Sequence, residues 1–190
     1  MCSIPNSFRV ENGCPEEFRP TWCKHCQSEA KFHKHGSFTR SVLTMEELLE
    51  IKIFRFKCTA CDKTCSVLPS FLRHNHTAAL DVQEHVVQSH SKGVALRIIS
   101  EQLTFSEKTL WRWKNYWQKS LNKLKPDFWP TVLARFPHLL LPRGSEAPSS
   151  LWGWMFWVWG QIRLQLADKP AGCLQWLTFL SPPVAVTAGA

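Results

Sequence analysis

Ile51-Lys-Ile-Phe-Arg-Phe-Lys-Cys58-Thr-Ala-Cys61 decides how the N-terminal part of the chain is read. The β-branched and aromatic residues of Ile51 to Phe56 predict a strand, although the alternation is imperfect: Ile51, Ile53 and Arg55 stand against Lys52, Phe54 and Phe56. That strand runs directly into a C-x-x-C pair, and a second pair, Cys23-Lys-His-Cys26, lies upstream. At this spacing two thiolates on one tight turn can share a tetrahedral ion, with Zn–S near 2.3 Å. Cys23, Cys26, Cys58 and Cys61 thus make a closed structural Zn²⁺ site with no position left for water or substrate. The 31 residues between the pairs must double back. Phe32 to Val42 is the expected partner strand, with Met45 to Glu50 connecting the two. Strands leading out of one knuckle and into the next describe a zinc ribbon over residues 20–72.

Other residues near the pairs offer alternative ligands: Cys65, four residues after Cys61, and the imidazoles of His25, His33 and His35. Cys2, Cys14 and Cys173 have no close partner in sequence and read as idle or buried thiols. Trp22 before Cys23 also suits a redox dithiol, but that chemistry needs a buried strand upstream and a helix starting at the first cysteine. Glu11 to Pro20 is polar and contains prolines, and the second pair favours metal.

The 190 residues carry 23 Lys and Arg against 15 Asp and Glu, a formal charge of +8 with a pI near 9.2. Residues 20–130 hold 17 of the basic and 10 of the acidic residues, so an anionic partner is expected to meet the middle of the chain. The first 20 residues lack the apolar run of a secretory signal, and Leu151 to Gly160 is about half the roughly 20 residues of a membrane span. The expectation is a cytoplasmic protein that does not enter a membrane.

Beyond the ribbon, apolar residues at helical spacing predict three helices. The first is capped by Thr77 and ends near Ser91 before Lys92-Gly93; the second runs from Val94 to Gln102. The third is capped by Ser106 and extends to about Lys123, with Leu110, Trp113 and Trp117 inward. The short break at Thr104-Phe105 makes a helix-turn-helix pattern over residues 77–124, whose last helix would enter a DNA major groove. Ser106, Glu107, Lys108, Thr109, Arg112 and Lys114 are the candidate DNA-binding residues there, with Trp111 as a possible sugar or phosphate contact. On the ribbon, Lys52 and Arg55 are the candidate phosphate contacts.

Cys23-x-x-Cys26-x-Ser28, Lys34-His35-Gly36, Arg55-Phe56-Lys57-Cys58-x-x-Cys61-x-x-Thr64 and Leu68-Pro69-Ser70-Phe71-Leu72 resemble the zinc-ribbon module of bacterial insertion-sequence transposases and their short accessory proteins. Arg97 to Trp113 is similar to the helix-turn-helix that follows it. The resemblance covers residues 20–118 and implies double-stranded DNA as partner, a transposase as a second one, and a bacterial, nucleoid-associated location. Lys24 stands where the family often has Pro, and Thr104 where the helical motif usually has a turn Gly. A Thr tolerates φ > 0 poorly, so the turn is expected to be reshaped.

Prolines punctuate residues 125–150, which read as a linker with at most a short helix at Thr131 to Phe136. Residues 151–190 read as an irregular, partly disordered aromatic segment that packs on the helices or binds another protein. A strand-transfer enzyme needs carboxylates that hold two metals, and Asp62, Asp81, Asp127 and Asp168 are scattered. The sequence as a whole predicts an α+β, zinc-dependent DNA-binding accessory or recognition protein of a transposition system that is not itself an enzyme. A protein-interaction adaptor and a redox dithiol protein are the alternatives.

Overall fold

The computed structural model describes residues 16–142, 144–166 and 172–180, so Cys2, Cys14, Asp168 and the end of the chain from Ser181 lie outside the described residues. The architecture is α+β, in two compact units divided between Ala79 and Leu80.

In the first unit β1 (Trp22–Cys23) and β2 (Ser28–Glu29) form a small antiparallel pair. The larger antiparallel sheet has the order β3 (Phe32–Leu43), β4 (Leu48–Cys58), β5 (Thr64–Val67). The connection between β3 and β4 is shorter than the expected Met45 to Glu50. The Thr44 hydroxyl accepts from the N–H groups of Glu46 (3.2 Å) and Glu47 (3.0 Å), closing the turn and leaving Leu48 to Glu50 free to pair with Leu43 to Ser41.

β4 explains its own imperfect alternation. Ile51 and Ile53 pack with Val42, Phe71, Leu72 and Ala79, whereas Phe54, Phe56 and Cys58 pack with Cys23 and Phe32. Successive strand residues point to opposite faces, so the buried face changes sides between Ile53 and Phe54. Lys52 and Arg55 are left on the two opposite open faces. A bulge between Lys34 and Ser37 bends β3, with Gly36 at φ +106°, which only glycine adopts readily.

Thr77 is not a helix cap. Its carbonyl accepts from the Leu43 N–H (2.8 Å), and Ala79 N–H donates back to the Leu43 carbonyl (2.9 Å). That pairing commits residues 77–79 to the strand side, so the first helix starts two residues later than expected.

The second unit is helical: α1 (Leu80–Ser91), α2 (Leu96–Leu103), α3 (Glu107–Leu124), α4 (Phe128–Arg135), α5 (Leu151–Ile162) and α6 (Cys173–Leu180). α1 is its hub, packing against α2, α3, α5 and α6. Ser106 caps α3 as expected, its hydroxyl accepting from Thr109 N–H (3.3 Å). Thr104 does not reshape the turn; it takes the left-handed conformation itself, φ 59°.

The described part of the tail carries three α-helices: α4 is the short helix expected near Thr131 to Phe136, begun three residues earlier, whereas α5 and α6 correct the expectation of an irregular segment from residue 151. α4 supplies Phe128 and Val132, α5 Trp152, Met155, Val158 and Ile162, and α6 Leu174, Trp176 and Leu177 to one core with Trp117 and Leu121 of α3. The prolines mislead because Pro130 stands in the first turn of α4, where no helical N–H bond is lost. Ser150 caps α5, accepting from Gly153 N–H at 3.0 Å. Polar groups inside this core are matched: Trp117 Nε1 donates to buried Gln83 (3.0 Å) and Trp152 Nε1 to Gln118 (2.7 Å).

Glu84 joins the two ends of the helical unit. Its carboxylate accepts from the Leu174 N–H (2.9 Å) at the start of α6, and a Cβ at Gly172 would meet Glu84 Oε2 at 2.5 Å. Burial raises its pKa from 4.5 to about 7, against the opposing pull of the Leu174 and Cys173 N–H groups, while Asp81 pushes upward. Between these values the folded chain keeps a proton that the unfolded chain has released, so stability falls as pH rises through that window and levels off above it. Urea unfolding followed by tryptophan fluorescence reads this unit, since nine of the ten Trp lie at 111 or beyond. It should show a loss on the order of 3 kcal/mol from pH 4.5 to 7.5 that Glu84→Gln largely abolishes.

Candidate metal centre and the basic helix face

The four cysteines expected as ligands come together. The sulfurs of Cys23, Cys26, Cys58 and Cys61 all lie within 4.8 Å of one another, and they are the one such group of three or more His, Cys, Asp or Glu among the described residues. Cys23 and Cys61 sulfurs are 3.7 Å apart and those of Cys26 and Cys58 3.9 Å. The edge of a sulfur tetrahedron with a 2.3 Å metal–sulfur bond is about 3.8 Å. The cage therefore fits a tetrahedral thiophilic ion.

Each knuckle is built from backbone. Cys58 N–H donates to the Lys63 carbonyl (2.9 Å) and Asp62 N–H to the Cys58 carbonyl (3.1 Å). The residue after each pair turns left-handed, Gln27 at φ 51° and Asp62 at φ 60°. Lys57 holds Asp62 in place through a 3.0 Å ion pair. Ser28 lies with its hydroxyl 3.2 Å from the Cys26 sulfur.

The electrostatics favour a cation. The Cys26 N–H, and more weakly that of His25, aims at the Cys23 sulfur and draws its pKa down to about 6 against burial. Cys61 receives the Lys63 N–H, yet burial and the three neighbouring sulfurs push it up to about 12. Four thiolates cannot share this space uncompensated, and a divalent ion resolves the conflict.

Of the alternative ligands, Cys65 sits on β5 opposite Phe56 and packs beside the cluster, its pKa raised mainly by burial. His25 is exposed in the first knuckle, and His33 and His35 are exposed on β3. None joins the four-sulfur group.

The expected DNA-binding residues occupy two places. On α3, Glu107, Lys108 and Arg112 are exposed, Lys114 is half-buried, and Ser106 and Thr109 are engaged in the cap, their hydroxyls 3.0 Å apart. The open face continues through Lys119 and Lys123, interleaved with Trp111 (54% exposed) and Tyr116 (45%). From Lys108 to Leu124 the helix carries no acidic residue. Lys119 and Lys123 follow Arg112 by seven and eleven residues, the helical spacing that puts them on the face of Lys108 and Arg112 and marks them in the sequence. On the ribbon, Arg55 is exposed and Lys52 half-buried, on opposite faces of the sheet.

Residues 23–113 match the model of a family described as a domain of unknown function, DUF6431. The match begins at the first ligand cysteine and ends inside α3. No curated protein and no solved structure matches the chain.

Elemental analysis of protein purified without added metal should find one ion per chain. Cys58→Ser, which opens the tetrahedron at its most buried corner, should lose most of it and unfold the ribbon. Full metal content in that variant would defeat the four-sulfur assignment.

Proposed function

We propose that the protein is a zinc-dependent DNA-binding accessory or recognition protein of a transposition system, with Zn²⁺ in the sulfur cage and no strand-transfer chemistry of its own. The observation that carries this reading is the open face of α3: four cations, two exposed aromatics and no carboxylate after Glu107. Lys108, Arg112, Lys119 and Lys123 make no ion pair with another described residue. A surface of that kind meets phosphate and base edges better than it meets protein.

The three-residue turn Thr104 to Ser106 and the Ser-capped helix suit a helix-turn-helix, in which the first turn of α3 reads bases and flanking cations hold phosphates. The zinc ion would keep the ribbon folded and take no part in chemistry. Transposition and a transposase partner rest on the family resemblance, and with them a cytoplasmic, nucleoid-associated location. No helix among the described residues is long and apolar enough to cross a membrane.

Binding to selected and scrambled duplexes at several salt concentrations tests the reading. Arg112→Ala should weaken the selected duplex by roughly 1–3 kcal/mol and relax preference at one position. Lys52→Ala should weaken both duplexes alike and lower the salt slope by about 0.9. Equal effects of the two substitutions on both duplexes would remove α3 as the reading element, and an absence of duplex binding would favour the protein-interaction adaptor.

Incubation with supercoiled and end-labelled DNA plus Mg²⁺ or Mn²⁺ should give no cutting or joining. Asp127, at the start of α4, and Asp168 are the residues to change to Asn if cutting is seen. Cutting that disappears in either variant overturns the non-enzymatic reading.

A further inference from the structure

A cavity of about 200 Å³ lies beside the first knuckle. Its lining combines apolar Pro20, Phe32 and Val67 with the exposed side chains of Trp22, Lys24 and Lys63. Among the described residues no carboxylate lines it. It is smaller than the roughly 300 Å³ at which drug-sized pockets begin, so it has room for one ring system and not for a whole cofactor.

Trp22 is the feature that needs a reason. It lies on β1, two residues long, and is 57% exposed, although the apolar cluster of Phe32, Phe54 and Phe56 is close in sequence and fold. An indole held at the mouth of a cavity offers a flat face to a planar ring. The lysines have another account, since a zinc ion with four thiolates carries a formal charge of −2 that Lys24 and Lys63 would balance. That account leaves the indole unexplained.

We propose that this cavity takes one unpaired base of a single-stranded nucleic acid, stacked on Trp22, with the flanking phosphates on Lys24 and Lys63. Aromatic stacking with a basic rim is the chemistry by which single strands are held without regard to sequence. The proposal rests on nucleic acid being the partner, but not on α3 being the reading element. Cys23, Lys24 and His25 of the first knuckle line the pocket together with Lys63 and with Cys65, Ser66 and Val67 of β5, so opening the cage would disturb it.

The test uses full-length, zinc-loaded protein and fluorescence anisotropy with two labelled probes, a twelve-nucleotide oligo(dT) and a blunt duplex. Trp22→Ala should bind oligo(dT) about 10-fold or more weakly, Trp22→Phe should keep most of the affinity, and both should leave duplex binding and zinc content unchanged. Arg112→Ala should lower duplex binding and spare oligo(dT). If wild-type protein does not bind oligo(dT), or Trp22→Ala binds it as wild type does, the pocket is not a base site. If Lys24→Ala releases zinc without changing oligo(dT) binding, the lysine serves only the thiolate charge and the proposal fails. Oligo(dT) binding that depends on Trp22, in a protein that ignores the duplex, would uphold the pocket and remove the duplex-reading role of α3.

Discussion

The four sulfurs converge in a unit whose apolar clusters are small, so an ion held between them would supply what those clusters lack. Behind the cage lie Phe32, Phe54 and Phe56 with the buried edges of Cys23 and Cys58, fringed by partly buried residues such as Phe18, Ala30 and Val67, and the other cluster of the ribbon sits on the opposite face of β4. A sheet of three strands split into two small cores buries too little apolar surface to be secure, which is the size range where metals commonly supply the difference. The change of buried face at Ile53-Phe54 makes the need acute, because neither core runs the length of the strand. Closing the cage would fix Cys58 at the end of β4 and Cys23 at the end of β1, and so pin the core behind it from both sides.

The helical unit solves the same problem without metal. One helix, α1, touches four others, and Gln83 and Glu84 on it satisfy polar groups contributed from far along the chain, Trp117 and the start of α6. The two adjacent residues differ in consequence. Gln83 is neutral and its bond persists across pH, whereas Glu84 caps a helix with a carboxylate that burial discourages from ionising. The favourable field of the α6 N-terminus offsets part of that cost, which makes this contact the pH-dependent one in the core.

Sequence made some of this legible and concealed the rest, for identifiable reasons. Cysteine spacing is a chemical constraint that reads directly, and so is a serine before an apolar helical period, which placed the start of α3. The extent of β4 was hidden because its burial changes sides, so no single period describes it. The helices of the tail were hidden because Pro130, Pro148 and Gly153 look like breakers. Pro130 is harmless in a first turn, and Gly153 is required there: a Cβ would stand 2.8 Å from that of Pro148. Thr77 looked like a cap because capping is local, while its real partner, Leu43, is more than thirty residues away.

The positive-φ residues show where the chain accepts strain and what compensates it. Among the described residues the non-glycine ones are Gln27, Asp62, Asn75 and Thr104. Asp tolerates this region comparatively well, but Gln and Thr do not, and a β-branched Thr is the most costly of the four, on the order of 1–3 kcal/mol. Gln27 follows a ligand cysteine, so closure of the cage holds it. Thr104 adjoins no cysteine in sequence. It is held instead by packing on both sides of the turn: Ile99 of α2 and Leu110 of α3 are fully buried, and Phe105 meets Trp113 edge-on at 4.9 Å. The direction in which α3 leaves the turn therefore depends on packed side chains and not on an easy backbone choice. A glycine at 104 would relieve the strain but also free the turn, whereas threonine restricts the angles available once the flanking helices have docked. The rigidity of that joint is what fixes the cations of α3 in one arrangement.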